Sequence, residues 1–296
     1  MINDYLNNRK QRTKVNNCCS SWRNIYGVPQ GSILGPLLFN IYINDMFLFS
    51  STFKIANYAD DCSPYEFSES ISEVIKKLEN DTIILMKWYD SNYLMPNPGK
   101  WHLLLNVARD DLSIIVGTQC ITNSSCEKML GIYFDNKLNF DNHVTKLCKK
   151  AGQKLHALAR VSNYMSQNQK KVIFNAFISS QFNYCPLIWL CHSRSLNTRI
   201  NKIHERALRI VFNDNISSFD ELINKSGSVK VHHRNLQSLA TEIYKALHNL
   251  SSPLMSELFQ LTDKQYNLRQ GKSLITNNIK TVNYGSETIS YLAPKI

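Results

Sequence analysis

The sequence lacks the paired cysteines of a zinc knuckle, because its eight cysteines include no Cys-x-x-Cys pair. It also lacks an apolar leader, since residues 1–12 are polar and basic. Without a secretory signal, scattered cysteines are typical of reduced thiols rather than of a disulfide framework. We therefore expect neither zinc nor disulfides, and thiols that are mostly buried.

Long hydrophobic segments, internal repeats and low-complexity tracts are missing as well. One stretch, residues 172–191, has no charged residue. It nevertheless contains several polar side chains and a proline: Asn175, Ser179, Ser180, Gln181, Asn183 and Pro186. A membrane span is predominantly apolar, so this stretch predicts a buried helix and no membrane partner.

Acidic residues are the scarcer charge. The 296 residues include 34 Lys plus Arg against 23 Asp plus Glu, which gives a net charge of +11. At 43% hydrophobic residues the chain can bury the core of one large or two modest domains. A basic surface attracts polyanions, so the charge favours a nucleic-acid partner over an ordinary basic globular protein.

Two adjacent carboxylates, Asp60 and Asp61, follow the apolar residues Phe53, Ile55, Ala56 and Tyr58. This pattern predicts a short strand that ends in a turn. Most such pairs are solvated turn residues. Two carboxylates presented together also suit Mg²⁺, which binds one or two carboxylates plus substrate phosphates and supports in-line phosphoryl displacement.

Three motifs carry a family resemblance: Gly-Val-Pro-Gln-Gly-Ser-Ile-Leu-Gly-Pro-Leu-Leu-Phe at 27–39, Ile-Tyr-Ile-Asn-Asp at 41–45 and Tyr-Ala-Asp-Asp at 58–61. Together they resemble the reverse transcriptase of non-LTR (LINE-type) retrotransposons. The resemblance implies an α+β fold: part of a right-hand polymerase palm, followed by a helical thumb and connection. It also implies Mg²⁺, with Mn²⁺ as an alternative, and three partners, an RNA template, a DNA primer and dNTPs.

The same resemblance implies that the fingers and the first catalytic strand of the palm should precede residue 1. That strand carries a further aspartate of the metal site, and Asp4, the single acid in residues 1–26, lacks an apolar strand context. We therefore expect an N-terminally truncated fragment with little activity by itself. A similar Pro-Lys-Ile is followed by more sequence in the family, so the C-terminus also looks clipped.

By resemblance, Asp60 and Asp61 are the catalytic metal ligands, and Gln30, Gly31, Tyr58 and Lys100 bind the nucleotide. Gly31 lets the backbone approach a ligand, and the Gln30 amide donates and accepts hydrogen bonds. Lys100 follows an Asn-Pro-x-Lys turn that lies near the triphosphate in the family. Without the family, the glycine would be an ordinary turn before a core helix, and the lysine a solvated turn residue.

Two further features match the family. Leu130-Gly131 resembles the primer grip, where a glycine lets the backbone lie close to the primer end. Next, a predicted helix carries Lys146, Lys149, Lys150 and Lys154 on its polar side. A basic stripe is usually a solvated face, but on a polymerase thumb it would hold the phosphates of the primer and template duplex.

Periodicity and turn residues predict the other elements. We expect helices over 32–49 with Ser32 as cap, from 71 to beyond 88 with Trp88 in the core, from an Asp141 cap, and over 167–188, 196–212 and 232–250. Strands are expected at 101–105, 112–116 and 128–135. His143 is predicted to pack or cap rather than catalyse.

These expectations divide the chain into three regions: a truncated palm over 1–140, a thumb-like helical region over 141–225, and a basic helix with a polar tail over 226–296. Two alternatives stay open, a non-catalytic nucleic-acid-binding remnant and a truncated gene product without function of its own. The expected location is intracellular, and nuclear by family only.

Overall fold

The computed structural model describes residues 2–29, 31–49, 54–107, 109, 111–190, 193–259, 261, 274–275 and 289–295. The packing of the chain separates two units. The first comprises residues 1–105 and 109–124, and the second comprises residues 106–108 and 125–296. Both helices and antiparallel hairpins are present, so the chain has mixed α and β structure.

The first unit contains four helices and eight strands among its described residues. The helices are α1 Ile2–Leu6, α2 Gly35–Ile43, α3 Met46–Phe49 and α4 Ile71–Ser91. The strands are β1 Lys10–Gln11, β2 Lys14–Val15, β3 Cys18–Cys19, β4 Arg23–Asn24, β5 Lys54–Tyr58, β6 Asp61–Tyr65, β7 Ser113–Val116 and β8 Gln119–Thr122.

All strands of this unit pair antiparallel and two by two: β1 with β4, β2 with β3, β5 with β6, and β7 with β8. A small core lies where α2, α3 and α4 meet, formed by Ile43, Met46, Leu85 and Trp88. Ile55 of β5 and Cys62 of β6 pack against this core. The Trp88 indole donates a hydrogen bond to Asp45 Oδ1 at 3.2 Å, which satisfies its buried N–H. The core therefore supports the β5–β6 hairpin from one side.

The second unit contains one hairpin and seven helices among its described residues. The hairpin pairs β9 Cys126–Met129 with β10 Ile132–Asp135. The helices are α5 Asp141–Val161, α6 Gln167–Ile173, α7 Arg194–Phe212, α8 Phe219–Ser226, α9 Val231–Leu247, α10 Pro253–Glu257 and α11 Ile289–Leu292. Between α6 and α7 the chain continues as one turn of π-helix, Phe174–Ile178, and one turn of 3₁₀-helix, Ser179–Phe182.

A large apolar core organises the second unit. It is built from the inward faces of α5, α6, α7 and α8, together with the π and 3₁₀ turns, and it includes Val144, Leu155, Ile200, Leu208 and Leu222. Each of these five side chains is at most 2% exposed. Burial on this scale supplies the apolar free energy that holds the helices together.

Several predicted elements are confirmed. The strand before the aspartates, the helix with Trp88 in the core and the helices α7 and α9 are found close to their predicted bounds. None of the described helices is long and apolar enough to cross a membrane. The three functional regions predicted from the sequence stay predictions, because the packing units report contacts and not function.

Other details were wrong. The helix predicted over 32–49 is two helices, and α2 begins at Gly35 with Leu34 as its N-cap. Ser32 lies one turn earlier, where its Oγ accepts a hydrogen bond from the Leu34 N–H at 3.2 Å. Residues 101–105 form an isolated bridge at Leu103 rather than a strand. The α-helix predicted over 167–188 ends at Ile173, and the chain continues as π-helix and 3₁₀-helix up to Phe182.

The predictions about Asp141 and the cysteines were also wrong. The N-cap of α5 is Phe140, and Asp141 is the first helical residue. Of the seven cysteines in the described residues, Cys148 alone is buried, whereas Cys18, Cys19 and Cys120 are exposed. A thiol is small enough to be tolerated on a short exposed hairpin, so cysteine identity by itself did not determine burial.

Candidate active site

The two aspartates lie at the tip of the β5–β6 hairpin. Tyr58 pairs with Asp61, so the loop has two residues, Ala59 and Asp60, and Asp61 begins the second strand. Both carboxylates are exposed. Ala59 has φ 53°, in the left-handed region that favours glycine at the first position of a tight hairpin. The side-chain amide of Asn57 donates to the Ala59 carbonyl at 3.1 Å and holds this conformation.

A strained non-glycine residue persists only where its surroundings impose it, and such residues cluster at functional sites. In this hairpin the strand pairing and the Asn57 hydrogen bond impose the left-handed turn that presents Asp60 and Asp61 to solvent. Tyr58 is 67% exposed beside them. The hairpin therefore brings three of the predicted site residues together.

The donor chemistry of the tip fits a hard divalent cation such as Mg²⁺, because two adjacent carboxylates offer oxygen ligands. The fit is partial. Across the described residues, no group of three or more His, Cys, Asp or Glu side chains is arranged to hold a metal ion. Asp60 and Asp61 can thus supply two ligands, and other ligands would come from substrate phosphates, water or another segment.

The predicted nucleotide loop is described in part. Gln30 lies outside the described residues. Gly31 has φ 83°, a conformation that L side chains rarely adopt. The loop then closes against Gly35, where an added Cβ would come within 3.3 Å of the Pro29 carbonyl oxygen. Two glycines thus permit the sharp turn that leads into α2.

Lys100 ends a 3₁₀ turn, Pro98–Lys100, and its side chain is exposed. Asn97 caps this turn, since its Oδ1 accepts a hydrogen bond from the Gly99 N–H at 3.0 Å. The turn is therefore ordered locally, as the Asn-Pro-x-Lys pattern implies. No hydrogen bond or ion pair within the described part of the chain joins Lys100 to Asp60 or Asp61.

The predicted primer grip is the turn of the β9–β10 hairpin, in the second unit. Met129 pairs with Ile132, so the loop is Leu130 and Gly131, with φ values of 47° and 88°. Two positive φ values are the signature of a type I′ turn. The Tyr184 hydroxyl donates to the Leu130 carbonyl at 2.7 Å, and its ring lies 3.5 Å from where a Cβ on Gly131 would be.

The predicted lysine stripe lies on α5, directly after this hairpin. Lys149 and Lys150 are exposed, whereas Lys146 and Lys154 are half-buried. The Lys146 ammonium lies 3.3 Å from the ring centroid of Tyr133 on β10, and the Lys154 ammonium lies 5.8 Å from that of Phe177. Cation–π contacts at these distances hold the two side chains against the unit. The hairpin and the lysine helix are thus one structural piece.

His143 lies beneath this piece as a packing residue. Its Nδ1 accepts a hydrogen bond from the Tyr133 N–H at 3.3 Å, and only 3% of the residue is exposed. Burial, followed by the charges of Lys150 and Lys146, lowers its pKa below the usual histidine value. The imidazole is therefore neutral at pH 7, which suits its role as acceptor.

Sequence reasoning missed three supporting residues. Tyr184 and Tyr133 contact the grip and the stripe from distant or opposite elements, which no local pattern reveals. Asp135 was detectable as a turn acid, because its carboxylate accepts hydrogen bonds from the Lys137, Asn139 and Phe140 N–H groups. Helix α8 was detectable too, from the Ser218 and Glu221 capping box.

Comparisons with known proteins give the family. Residues 1–175, more than half of the chain, match the family described as "Reverse transcriptase (RNA-dependent DNA polymerase)". No solved structure matches the chain.

Curated relatives agree. The chain is 27% identical over 226 residues to the "Probable RNA-directed DNA polymerase from transposon BS" of Drosophila melanogaster, covering 71% of this chain and 25% of the relative. It is 26% identical over 222 residues to the "RNA-directed DNA polymerase from mobile element jockey" of Drosophila funebris, covering 71% of this chain and 24% of that protein.

A third relative matches over more of the chain. This is the "Probable RNA-directed DNA polymerase from transposon X-element" of Drosophila melanogaster, 23% identical over 313 residues, with 94% of this chain and 32% of the relative covered. The chain thus spans about a quarter to a third of the length of these relatives. From the family match and these relatives, the chain belongs to the reverse transcriptase family, in the branch of the non-LTR (LINE-type) retrotransposons.

Proposed function

We propose that this chain supplies palm and thumb elements of an RNA-directed DNA polymerase that extends a DNA primer on an RNA template with dNTPs. The observation that carries the proposal is the β5–β6 hairpin, whose two-residue loop exposes Asp60 and Asp61 side by side. Family membership supports the reaction class. The relatives' names support the retrotransposon setting.

Asp60 and Asp61 are proposed to bind Mg²⁺, or Mn²⁺ in its place. When bound, the ion offsets the negative charge that develops on the phosphoryl oxygens during transfer to the primer 3′-hydroxyl. The two carboxylates would supply two of its oxygen ligands from one turn. Because positioning and charge neutralisation dominate this class of reaction, small displacements of either carboxylate should be costly.

The nucleotide pocket is proposed to include Gln30, Gly31, Tyr58 and Lys100. The left-handed backbone at Gly31 leaves the main chain uncovered by a side chain, so a nucleotide can approach it closely. Exposed Tyr58 flanks the aspartates and offers a ring face. The exposed Lys100 ammonium would offset triphosphate charge.

The thumb is proposed to hold the primer and template duplex. Leu130-Gly131 would lie against the primer end as the grip, and Lys146, Lys149, Lys150 and Lys154 would contact phosphates. Exposed Lys149 and Lys150 are free to reach a duplex, whereas Lys146 and Lys154 would first leave their aromatic contacts or bind while keeping them. Phosphate contacts of this kind position a duplex without reading its sequence.

We further propose that the chain by itself extends a primer weakly or not at all. Two carboxylates are fewer than a two-metal site uses, and the described residues offer no third ligand beside them. By family resemblance, the missing aspartate would come from a further palm strand. The intracellular and nuclear location stays a family-based proposal, testable by imaging a tagged chain.

A non-catalytic remnant that binds nucleic acid is the second candidate function. One observation favours it, because the basic face of α5 is well formed while the carboxylate group is incomplete within the described residues. In this case the aspartates are inherited from an active ancestor without a present role, and the lysines carry the function. The two candidates therefore predict different effects of substituting Asp60 and Asp61.

Primer extension on a primed RNA template with Mg²⁺ tests the choice. We would compare the chain alone with a chimera in which the aspartate-bearing palm strand and fingers that the family resemblance implies are joined ahead of residue 1. Each form is also made with Asp60→Asn and with Asp61→Asn. Mn²⁺ binding, followed by electron paramagnetic resonance, gives a readout independent of activity.

We expect extension by the chimera, a loss of at least about 100-fold with either substitution, weaker Mn²⁺ binding and unchanged duplex affinity. Because both side chains are exposed, their replacement should leave folding intact. Duplex binding without extension in any form would establish the remnant reading. Extension that survives both substitutions would contradict the assignment of the aspartates.

A further inference from the structure

The N-terminal β-ribbon has no assigned role. Residues 9–25 form an antiparallel hairpin with two paired segments, in which Lys10 pairs with Asn24 and Lys14 with Cys19, and the register shifts by one residue between them. Hydrogen bonds from the Ser20 N–H to Thr13 O and from the Ile25 N–H to Arg9 O, both 2.9 Å, join and extend the two paired segments. Residues 10–24 are all exposed. The ribbon is therefore open to contact by a ligand.

One face of the ribbon concentrates positive charge. Lys10 lies in β1, Lys14 lies in β2, and Arg12 lies between the two strands. Alternate residues of an extended chain point to the same side, so these three side chains share a face, spaced about 7 Å apart. We call these three side chains, together with Trp22, the basic face. No acidic residue occurs between Asp4 and Asp45 to offset this charge. The face is therefore complementary to a polyanion.

Trp22 adds an aromatic surface to these cations. Its side chain is 58% exposed, and the Arg12 guanidinium carbon lies 4.6 Å from its ring centroid. This contact places Trp22 on the same face as Arg12 and stacks a cation on one side of the ring. The ring remains available to stack on a base.

The base of the ribbon is tied to the loop of the proposed nucleotide pocket. An Arg9 guanidinium N–H donates to the Tyr5 carbonyl at 3.1 Å, and the Tyr5 hydroxyl bonds to Ser32 Oγ, next to Gly31. The ribbon thus begins beside the loop where a template base would be read. A strand bound along the ribbon would be led toward that loop.

From these observations we propose that the basic face binds single-stranded nucleic acid, with Trp22 stacking on an unpaired base and Lys10, Arg12 and Lys14 contacting phosphates. A combination of aromatic stacking and a cationic track is how proteins bind single strands without sequence preference. The proposal rests on the proposed function, because the strand concerned is the template ahead of the duplex. It uses residues separate from the aspartates and from the α5 lysines.

The test is fluorescence anisotropy of the full chain with a labelled 12-nucleotide RNA and, separately, with a primer and template duplex. Variants are Trp22→Ala and the triple Lys10→Gln, Arg12→Gln, Lys14→Gln. A matched triple, Lys76→Gln, Lys87→Gln, Lys137→Gln, removes the same charge from exposed sites elsewhere. A fourth variant, Lys149→Gln with Lys150→Gln, reports on the proposed thumb.

We expect Trp22→Ala to weaken RNA binding about tenfold. Log affinity falls as log salt concentration rises, and each phosphate contact with a single strand contributes about 0.7 to the steepness of this fall. The ribbon triple should therefore make the fall less steep by about 2. The matched triple should leave that slope nearly unchanged. Duplex affinity should fall with the α5 variant and not with Trp22→Ala.

Three results would overturn the proposal: equal RNA affinity for Trp22→Ala and the parent chain, equal slopes for the two triples, or an effect of the ribbon variants confined to the duplex. If the α5 variant still loses the duplex in those cases, the proposed function stands without the ribbon. Failure of the parent chain to bind either ligand would remove both proposals together.

Discussion

The β5–β6 and β9–β10 hairpins end in loops of the same length but are built differently. In the first, the loop is Ala59 and Asp60, and its described contacts come from the hairpin itself. In the second, the loop is Leu130 and Gly131, which Tyr184 holds from a distant part of the chain. One tip is free and acidic, and the other is anchored and apolar.

This difference matches the two tasks that we propose. Carboxylates that bind an ion and a triphosphate must remain accessible, so the turn that carries them is fixed by its own backbone. A grip must resist the movement of a duplex, so it benefits from an outside contact and from a cationic helix attached to it. Preorganisation is thus local in one hairpin and tertiary in the other.

Low pH should produce the largest difference between the two hairpins, because it should destabilise the unit that carries β9–β10 more than the unit that carries β5–β6. Burial, together with the charge of Arg234, lowers the pKa of His204 in the helical core to about 4. The unfolded chain takes up a proton on this histidine near pH 6.5, but the folded chain does so only near pH 4. The free energy of unfolding therefore has its full value above pH 6.5 and decreases as the pH falls from 6.5 to about 4. The expected loss is about 3 kcal/mol for the second unit, and His143 adds to it with the same sign.

Hydrogen exchange at pH 7, 5.5 and 4.5 would check this loss. Amides of residues 132–135 should lose protection in acid, and amides of residues 54–58 should lose less. His204→Phe keeps a ring against Phe174, with which His204 stacks, and should flatten the dependence. A steep loss that persists in this variant would assign the acid sensitivity to other groups.

Removal of the outside contact should affect the second hairpin alone. Tyr184→Phe deletes the hydroxyl that donates to the Leu130 carbonyl while it keeps the ring beside Gly131. A hydrogen bond of this kind contributes about 1 kcal/mol. We expect that loss in urea unfolding, together with weaker duplex binding and unchanged Mn²⁺ binding at the aspartates. An equal effect on Mn²⁺ binding would end the contrast between the hairpins.

Relief of backbone strain should produce the smallest effect, and a stabilising one. Ala59→Gly removes a left-handed alanine that costs about 1–2 kcal/mol, offset in part by the entropy of glycine. The net gain should be about 0.5 kcal/mol, seen as slower exchange at Asp61. Leu130→Gly is the matched change in the second hairpin, where φ is 47°. Destabilisation by Ala59→Gly would show that the turn is not strained.

Short-range patterns predicted a large part of this protein. Strand β5, helix α4 with buried Trp88, and the lysines of α5 follow from periodicity and turn residues, because their contacts lie within a few positions along the chain. The Asp60-Asp61 tip and the Leu130-Gly131 turn were located correctly as turns for the same reason.

Failures occurred where a competing local interaction was stronger than the pattern. Asp141 looks like a helix cap, yet the Asp135 carboxylate already organises the preceding loop. The helix begins at Asp141 itself, one residue earlier than a cap at Asp141 would place it. Residues 101–105 are apolar enough for a strand but find one bridge partner, at Leu103.

The sequence by itself determined the family, the positions of the Asp60-Asp61 and Leu130-Gly131 turns and the excess of positive charge, because motifs and composition need no partner to be read. Tertiary structure decided that Tyr184 holds the Leu130-Gly131 turn, that Lys146 lies on Tyr133, and that Arg12 lies on Trp22 across the ribbon. The physical reason is that each of these contacts joins residues that are ten or more positions apart along the chain, and only folding brings them within contact distance.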